Sequence, residues 1–186
     1  MQKRIVSTAV IGLMALLSTA AQAADGTITF TGSVTDTTCS INGTASGTAA
    51  DVAVILPTVQ AGSLPAAGAT AGTSSLGDVR LTLSGCSGAA TKAIARFENG
   101  PTVDQSSGYL TNQASANPAQ NVQVRLLNAN AQPINVLTGA NNTLATNGAT
   151  ITGGAATLNY FAQYYATGKA QPGNVSTSVQ YTMQYQ

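Results

Sequence analysis

Histidine and tryptophan are absent from this 186-residue chain, and charged residues make up only 7% of it. Without histidine the chain has no Ser-His-Asp triad, no histidine-ligated metal and no histidine general base. The phosphate-binding motifs G-x-x-x-x-G-K and G-x-G-x-x-G do not occur in a strand-to-helix setting. The six carboxylates show no paired motif of the glycosidase kind. We therefore expect a protein that is not an enzyme and that holds no cofactor and no metal.

The first 23 residues are typical of a secretory signal peptide. A basic start at Lys3 and Arg4 precedes an apolar run, and small residues surround the expected cleavage between Ala23 and Ala24. The apolar run is too short to span a bilayer comfortably, which disfavours a retained membrane anchor. We expect residues 1–23 to be removed and the remaining chain to be exported without a stable membrane anchor.

The mature chain is expected to be nearly neutral. Loss of the leader leaves five basic and six acidic residues among 163. This charge provides no basic stripe that could neutralise phosphates, so nucleic acid is not an expected partner. Thr, Ser, Asn and Gln supply most of the polarity, and the composition favours a single all-β domain over an amphipathic helical bundle.

Apolar runs separated by turn-rich stretches predict seven β-strands. The predicted strands are 51–56, 79–83, 93–97, 122–127, 133–137, 155–165 and 175–185. The stretches 61–75 and 139–154 are rich in Gly, Ala, Ser and Thr, and we interpret them as surface loops. Several strands with turn signals and no helical-period blocks predict a β-sandwich.

The chain contains two cysteines, Cys39 and Cys86. In an exported chain such a pair most simply forms one disulfide, because the compartment outside the inner membrane is oxidising. The bond would close a loop of about 47 residues, which the chain-entropy account values at about 4 kcal/mol. A catalytic or metal-binding pair is the alternative, and it is disfavoured because there is no C-x-x-C motif and no histidine.

A segment of strict alternation begins the mature chain. Ile28, Phe30, Gly32 and Val34 would lie on one face of an extended strand, with Thr and Ser on the other. An apolar strand face needs a sheet to cover it, and that sheet belongs either to the same fold or to another molecule. Gly32 interrupts the apolar face, as expected of a β-bulge or of a weak point in an ordinary strand.

The chain ends in a second alternating segment, 175–185. Its predicted inward face consists of Val175, Thr177, Val179, Tyr181, Met183 and Tyr185. The segment contains no charge and no proline, which are the usual protections of an exposed strand edge. From composition alone, a strand paired on both sides within one sandwich is the simpler interpretation, and a strand bordering an open groove is the alternative.

Four segments, in this order, resemble the chaperone–usher pilins of the type 1 fimbrial class. They are 28–36 followed by Cys39, 81–86, 122–128, and 161–168 followed by Pro172-Gly173 and the alternating end. That family ends in a penultimate aromatic residue with a glycine fourteenth from the end, and Tyr185 and Gly173 stand at these positions.

The resemblance implies an incomplete immunoglobulin-like β-sandwich that is completed by donor-strand exchange. Residues 24–36 would be the N-terminal extension and 37–186 the pilin domain. The implied donor strand carries Ile28, Phe30, Gly32 and Val34, with Gly32 fitting a shallow pocket. The implied chaperone and acceptor groove includes Gly173, Val179, Tyr181, Met183 and Tyr185.

The resemblance also implies partners and a destination. The partners are copies of this chain or related pilins, a periplasmic chaperone and an outer-membrane usher, and the chain would pass through the periplasm to a cell-surface fimbria. The function implied is that of a structural fimbrial subunit that supports cell adhesion.

Two other functions stay open at the level of sequence. An adaptor, tip subunit or lectin-like adhesin would bind a host glycan, but tip adhesins of the family carry a further receptor-binding domain and lack the extension. Tyr160, Tyr164 and Tyr165 could stack on a sugar, although packing at the sandwich edge is the simpler interpretation. A self-contained secreted β-sandwich of unrelated role is the third possibility.

Overall fold

The computed structural model describes residues 28–32 and 38–186. The chain divides into two compact units, Met1–Val34 and Thr35–Gln186. All the strands and helices assigned within the described residues belong to the second unit, because the first assigned strand begins at Ser40.

The predicted leader, 1–23, and its cleavage pair, Ala23 and Ala24, lie outside the described residues. Within the part that the structure describes, no helix is both long enough and apolar enough to cross a membrane.

The first sheet is built around one long strand. Strand β9 (Ala156–Ala166) pairs along its first half with β3 (Val79–Ser84) and along its second half with β6 (Val122–Leu127), antiparallel in both cases. Four short strands complete this sheet: β1 (Ser40–Ile41) beside β3, β2 (Thr70–Ala71) beside β9, and β5 (Leu110–Thr111) and β7 (Pro133–Ile134) beside β6. Buried residues alternate with more exposed ones along β3 and most of β9, so one face of the sheet covers the core.

The second sheet is smaller. Strand β4 (Lys92–Phe97) lies at its centre, between β10 (Tyr181–Tyr185) and β8 (Ala149–Thr150), and both pairings are antiparallel. The two sheets enclose one apolar core that includes Leu81, Leu83, Val124, Leu126 and Leu158 from the first sheet and Ala93, Ala95 and Phe97 from the second. The predicted all-β sandwich is therefore confirmed.

A tyrosine hydroxyl joins the two sheets through this core. The Tyr160 ring meets the Phe97 ring edge to face, with centroids 5.1 Å apart. The Tyr160 hydroxyl accepts a hydrogen bond from the Ala95 N–H at 3.2 Å, and Asn142 Nδ2 donates to the Ala95 carbonyl at 2.9 Å. Because β8 pairs with β4 only at Lys92 and Ala93, these two side chains satisfy the backbone of β4 where β8 ends. Burial raises the pKa of Tyr160 to about 12.

Four of the predicted strands are confirmed: 122–127 with the predicted ends, and 79–83, 93–97 and 155–165 with small changes at their ends. The prediction for 133–137 was wrong beyond Ile134. There the Asn135 side chain accepts hydrogen bonds from the N–H groups of Leu137 and Thr138 and turns the chain out of the sheet.

The last predicted strand is shorter than expected, since β10 begins only at Tyr181 rather than at 175. Tyr181 pairs with Phe97, the final residue of β4, so the sheet offers no further strand before this point. The segment 175–180 is held by loop contacts, in which the Ser176 N–H donates to the Asn112 side chain and the Ser178 carbonyl accepts from Thr102 Oγ1.

The two predicted surface loops each contain short elements. A 3-10 helix at Ala61–Ser63 and strand β2 lie within 61–75, and helix α1 (Leu144–Asn147) and strand β8 lie within 139–154. Leu64 is buried in a second small apolar cluster together with Ala119, Val122, Ala166 and Ala170. The first loop is therefore partly a packing element rather than a wholly exposed connection.

The tyrosines considered for sugar stacking pack within the sandwich. Tyr160 is 4% exposed, and Tyr164 is half-buried against both apolar clusters. Tyr165 meets Tyr109 edge to face at 4.9 Å, and the Arg125 guanidinium lies 5.8 Å from its ring centroid. These contacts agree with strand packing, the simpler of the two interpretations.

Candidate functional site

The C-terminal strand has one free edge in the described part of the chain. Strand β10 pairs with β4 on one side, and no described strand pairs with its other side. An unpaired edge of this kind presents a row of backbone donors and acceptors that can template another strand. This edge is the first component of the candidate site.

The register identifies which backbone groups point to that free edge. Gln186 and Lys92 exchange two hydrogen bonds, and the Glu98 N–H donates to the Gln180 carbonyl. In an antiparallel pair such bonds recur at alternate residues. The even-numbered residues of β10 therefore bond to β4. Tyr181, Met183 and Tyr185 direct their N–H and C=O groups outward.

The same residues direct their side chains toward the core. All six residues of the predicted inward face are half-buried, and each alternate residue is exposed: the half-buried ones are Val175, Thr177, Val179, Tyr181, Met183 and Tyr185. All of them except Thr177 pack against the main core. The predicted alternation is present over the whole segment, including the part before β10.

A second extended segment borders the same core without belonging to a sheet. Residues 51–56 alternate between exposed and half-buried, and Val52 and Leu56 pack against the main core. They form no backbone hydrogen bond with any described residue, which corrects the prediction of a paired strand here. The Tyr181 hydroxyl donates to the Ala50 carbonyl at 2.7 Å and so links the start of this segment to β10. We call 51–56 and β10, which pack against the same core, the edge groove.

The edge groove is apolar and has little charge. Burial raises the pKa of Tyr181, with a smaller contribution from the negative charge of Asp51, and burial alone raises the pKa of Tyr185. Both tyrosines are therefore neutral at physiological pH. A ligand for this site needs apolar side chains and a backbone free to pair.

Gly173, another of the predicted groove residues, packs closely against the backbone of a neighbouring loop. A Cβ atom on Gly173 would collide with the backbone of Asn117, Pro118 and Ala119. Next to it, the Asn174 N–H donates to the Asn117 carbonyl at 2.7 Å, and the Ala119 N–H donates to the Asn174 carbonyl at 2.9 Å. The structure thus places Gly173 at a close backbone crossing that starts the C-terminal segment, whereas Val179, Tyr181, Met183 and Tyr185 form the apolar row.

The predicted donor residues are exposed where the structure describes them. Ile28 is 81% exposed and Phe30 is 89% exposed, which makes them two of the most exposed large apolar side chains of the described chain. A Cβ added to Gly32 would meet no atom within 4 Å. Residues 28–32 belong to no strand, and Val34 lies outside the described residues.

The predicted disulfide is present between Cys39 and Cys86, whose Cα atoms lie 4.1 Å apart. Cys39 directly precedes β1, and Cys86 follows the end of β3. The bond therefore fixes the point where the chain enters the first sheet, next to the antiparallel pair Ser40 and Ser84.

The contribution of 50–56 to the site was not predicted from the sequence. The alternation of Val52, Val54 and Leu56 indicated an ordinary paired strand, and nothing in the sequence indicated that Ala50 would accept a bond from a residue 131 positions later. The only available signal was the apolar alternation itself.

Comparisons with a protein-family model and with individual proteins all point to fimbrial proteins. The model of the FimA family, described as type-1 fimbrial protein, A, matches residues 56–186. The chain is 46% identical over 176 residues to the major fimbrial subunit SMF-1 of Stenotrophomonas maltophilia (strain K279a), covering 93% of this chain and 99% of that protein. It is 38% identical over 182 residues to the F17 fimbrial protein of Escherichia coli, covering 95% of this chain and 97% of that protein.

A solved structure has a similar fold. The crystal structure of a Burkholderia pseudomallei antigen and type I fimbria protein matches with a TM-score of 0.53 at 19% identity, covering 82% of this chain and 97% of that one. At this identity the likeness concerns the fold alone, and it supports the immunoglobulin-like class of β-sandwich expected from the resemblance.

Proposed function

Because this chain belongs to the type-1 fimbrial protein family and is a fimbrial subunit, we propose that it polymerises by donor-strand exchange. In this proposal the extension, 24–36, of one copy enters the edge groove of the next copy and pairs with the outer edge of β10. Strand addition to an exposed sheet edge is the mode already known for chaperone–pilin complexes, and we adopt it from that class.

One observation carries the proposal: the residues of β10 with inward side chains are also those with outward backbone groups. A strand laid along Tyr181, Met183 and Tyr185 would pair with their N–H and C=O groups and cover their side chains at the same time. An apolar surface without free backbone groups could cover these side chains but could not pair with the backbone. The edge groove is therefore best suited to an extended peptide.

The extension has the complementary chemistry. Ile28, Phe30 and Val34 recur with the period of a strand, and each would contribute on the order of 1.5–3 kcal/mol if fully buried. Gly32 lacks a side chain and would suit a shallow part of the groove. Since the extension and the edge groove are different surfaces, their contact is heterologous, and a heterologous contact that does not close into a ring gives an open filament.

The same groove explains the further partners that we propose. An apolar groove with an unpaired edge would aggregate before assembly. A periplasmic chaperone would cover it first, and an outer-membrane usher would exchange the chaperone for the next subunit. Export through the leader 1–23, cleaved between Ala23 and Ala24, would bring the chain to this route and then to the surface fimbria. Adhesion would be a property of the whole fibre.

The direct test is to append a second copy of residues 24–36 to the C-terminus through a short flexible linker. The appended strand should fill the edge groove of its own molecule, because a linked strand has a high effective concentration. We expect a stable monomer that no longer accepts the extension of a neighbour, measured by size-exclusion chromatography and by binding of a labelled 24–36 peptide.

The matched control carries Phe30→Asp only in the appended copy. A buried unpaired carboxylate is strongly unfavourable, so this fusion should still bind the labelled peptide. Donor-strand exchange is wrong if the fusion with the natural segment polymerises as the parent protein does, or if the mature protein without any fusion is already a stable monomer that ignores the peptide.

A further inference from the structure

Three asparagines directly precede a glycine: Asn42, Asn99 and Asn147. In such a pair the backbone nitrogen of the glycine can attack the side-chain Cγ of the asparagine, since glycine has no side chain to hinder the approach. The new N–C bond closes a succinimide ring and the side-chain nitrogen leaves as ammonia. Water then opens the ring to aspartate or isoaspartate. We propose that Asn99 is the deamidation site of the folded subunit and that the fold protects the other two.

Asn42 is held on both atoms of its side-chain amide. Its Nδ2 donates to the Arg80 carbonyl at 3.2 Å, and its Oδ1 accepts from the Thr82 N–H at 2.8 Å. Its own N–H donates to the Thr82 carbonyl, so the residue is bonded to the edge of β3 at three points. The side chain cannot turn toward the nitrogen of Gly43 without breaking these bonds.

Asn147 is protected at the attacking nitrogen. It ends helix α1, and the N–H of Gly148 donates to the Leu144 carbonyl at 3.1 Å. The Asn147 Oδ1 also accepts from the Thr143 N–H at 3.0 Å. The Gly148 nitrogen and the Asn147 side-chain amide are thus both hydrogen-bonded to residues of helix α1 and its N-cap. Attack of this nitrogen on the amide would require the helix to open.

Asn99 has neither a bond from its side-chain amide to the backbone nor a bonded nitrogen on the glycine that follows it. It is exposed and follows the end of β4, and its side-chain amide bonds only to the amide of Gln105, at 3.0 and 3.4 Å. The N–H of Gly100 donates to no described residue. The attacking nitrogen is free, and the attacked carbon is restrained by a single exposed side chain.

The reaction would act on the strand that borders the edge groove. Glu98, directly before Asn99, donates its N–H to the Gln180 carbonyl at 2.9 Å, and its carboxylate accepts from the Thr182 hydroxyl. Isoaspartate adds one carbon to the main chain immediately after these contacts, and either product adds a negative charge beside Glu98. Deamidation therefore loosens the end of β4 that holds the start of β10.

The test compares folded and unfolded protein incubated side by side at mildly alkaline pH, where the backbone nitrogen is more reactive. Trypsin cleaves after Lys and Arg, so the three asparagines fall in separate peptides: the one ending at Arg80, 97–125 and 126–169. In the unfolded, reduced chain we expect all three peptides to gain the mass of an amide-to-acid conversion. In the folded chain we expect this gain in 97–125 alone. Conversion of the Asn42 or Asn147 peptide as early as 97–125 in the folded chain overturns the proposal.

The matched control is Gly100→Ala. A Cβ at Gly100 would meet no atom within 4 Å, so the fold should be unchanged, while the methyl group hinders the attacking nitrogen. We expect loss of the conversion in 97–125 for this variant and for Asn99→Gln. Conversion at the parental rate in Gly100→Ala would place the reaction at another residue of that peptide and refute the assignment to Asn99.

Discussion

Replacing Tyr160 with Phe removes one oxygen from the centre of the sandwich and leaves the ring in place. The edge-to-face contact with Phe97 should remain, so packing changes little. The Ala95 N–H, however, loses the acceptor that it has at 3.2 Å. A buried donor left without a partner costs about 1–3 kcal/mol. The Ala95 carbonyl keeps its bond from Asn142, so the cost should stay within that range.

The pH dependence gives this prediction a second measurement. The pKa of Tyr160 is about 12 in the folded chain, against an ordinary tyrosine value of 10.0. Because the folded pKa is raised, the contribution to stability is complete below pH 10 and is lost as the pH rises toward 12. Two pKa units correspond to about 3 kcal/mol. The stability advantage of the parent protein over Tyr160→Phe should therefore shrink through this window.

Urea unfolding of both proteins at several pH values measures these differences. Tyr165→Phe is the matched control, since the Tyr165 hydroxyl makes no hydrogen bond with the described residues while its ring packs on Tyr109. We expect Tyr165→Phe to unfold near the parental midpoint. The reasoning fails if Tyr160→Phe is as stable as the parent at neutral pH, or if the difference between them is constant up to pH 12.

Three further predictions concern the stability of the domain. Gly173→Ala should destabilise the domain by about 1–3 kcal/mol, because its methyl group would collide with the backbone of 117–119, whereas Gly100→Ala should be neutral in the same thermal melt. Replacing both Cys39 and Cys86 with Ala should cost about 2–5 kcal/mol in urea unfolding, and equal midpoints with and without the disulfide would contradict this. Tyr181→Phe should lower the free energy of unfolding by about 0.5–1.5 kcal/mol, because the hydrogen bond to the Ala50 carbonyl is lost. If this variant binds the 24–36 peptide more weakly but unfolds like the parent protein, the bond does not stabilise the fold.

Elements governed by local alternation could be predicted from the sequence. Strand β6 has the predicted ends, and the half-buried row from Val175 to Tyr185 has the predicted members. The period of two along a strand is set by the backbone itself, so it is visible before any partner strand is known. The disulfide could also be predicted, because the chain contains a single pair of cysteines.

Features governed by distant contacts could not be predicted in this way. Residues 51–56 have the alternation of a strand, yet they form no ladder, since pairing depends on which neighbour the fold supplies. Strand β7 ends after Ile134 because the Asn135 side chain accepts hydrogen bonds from two backbone N–H groups. These bonds replace strand pairing only when the chain has turned, so the sequence alone does not reveal them. The close approach of Gly173 to the backbone of 117–119 also depends on a distant contact, which its place in the sequence does not reveal.

The free edge of β10 restricts what can complete this domain. Its backbone groups would stay unpaired if an apolar patch of another protein covered Tyr181 and Met183, and a buried unpaired backbone group costs about as much as a lost hydrogen bond. A helix could not help, because its own backbone groups are already paired along its axis. Only an extended segment satisfies both the backbone and the side chains. On the donor-strand proposal, the absence of charge and proline from 175–185 leaves this edge unprotected and open to a partner strand.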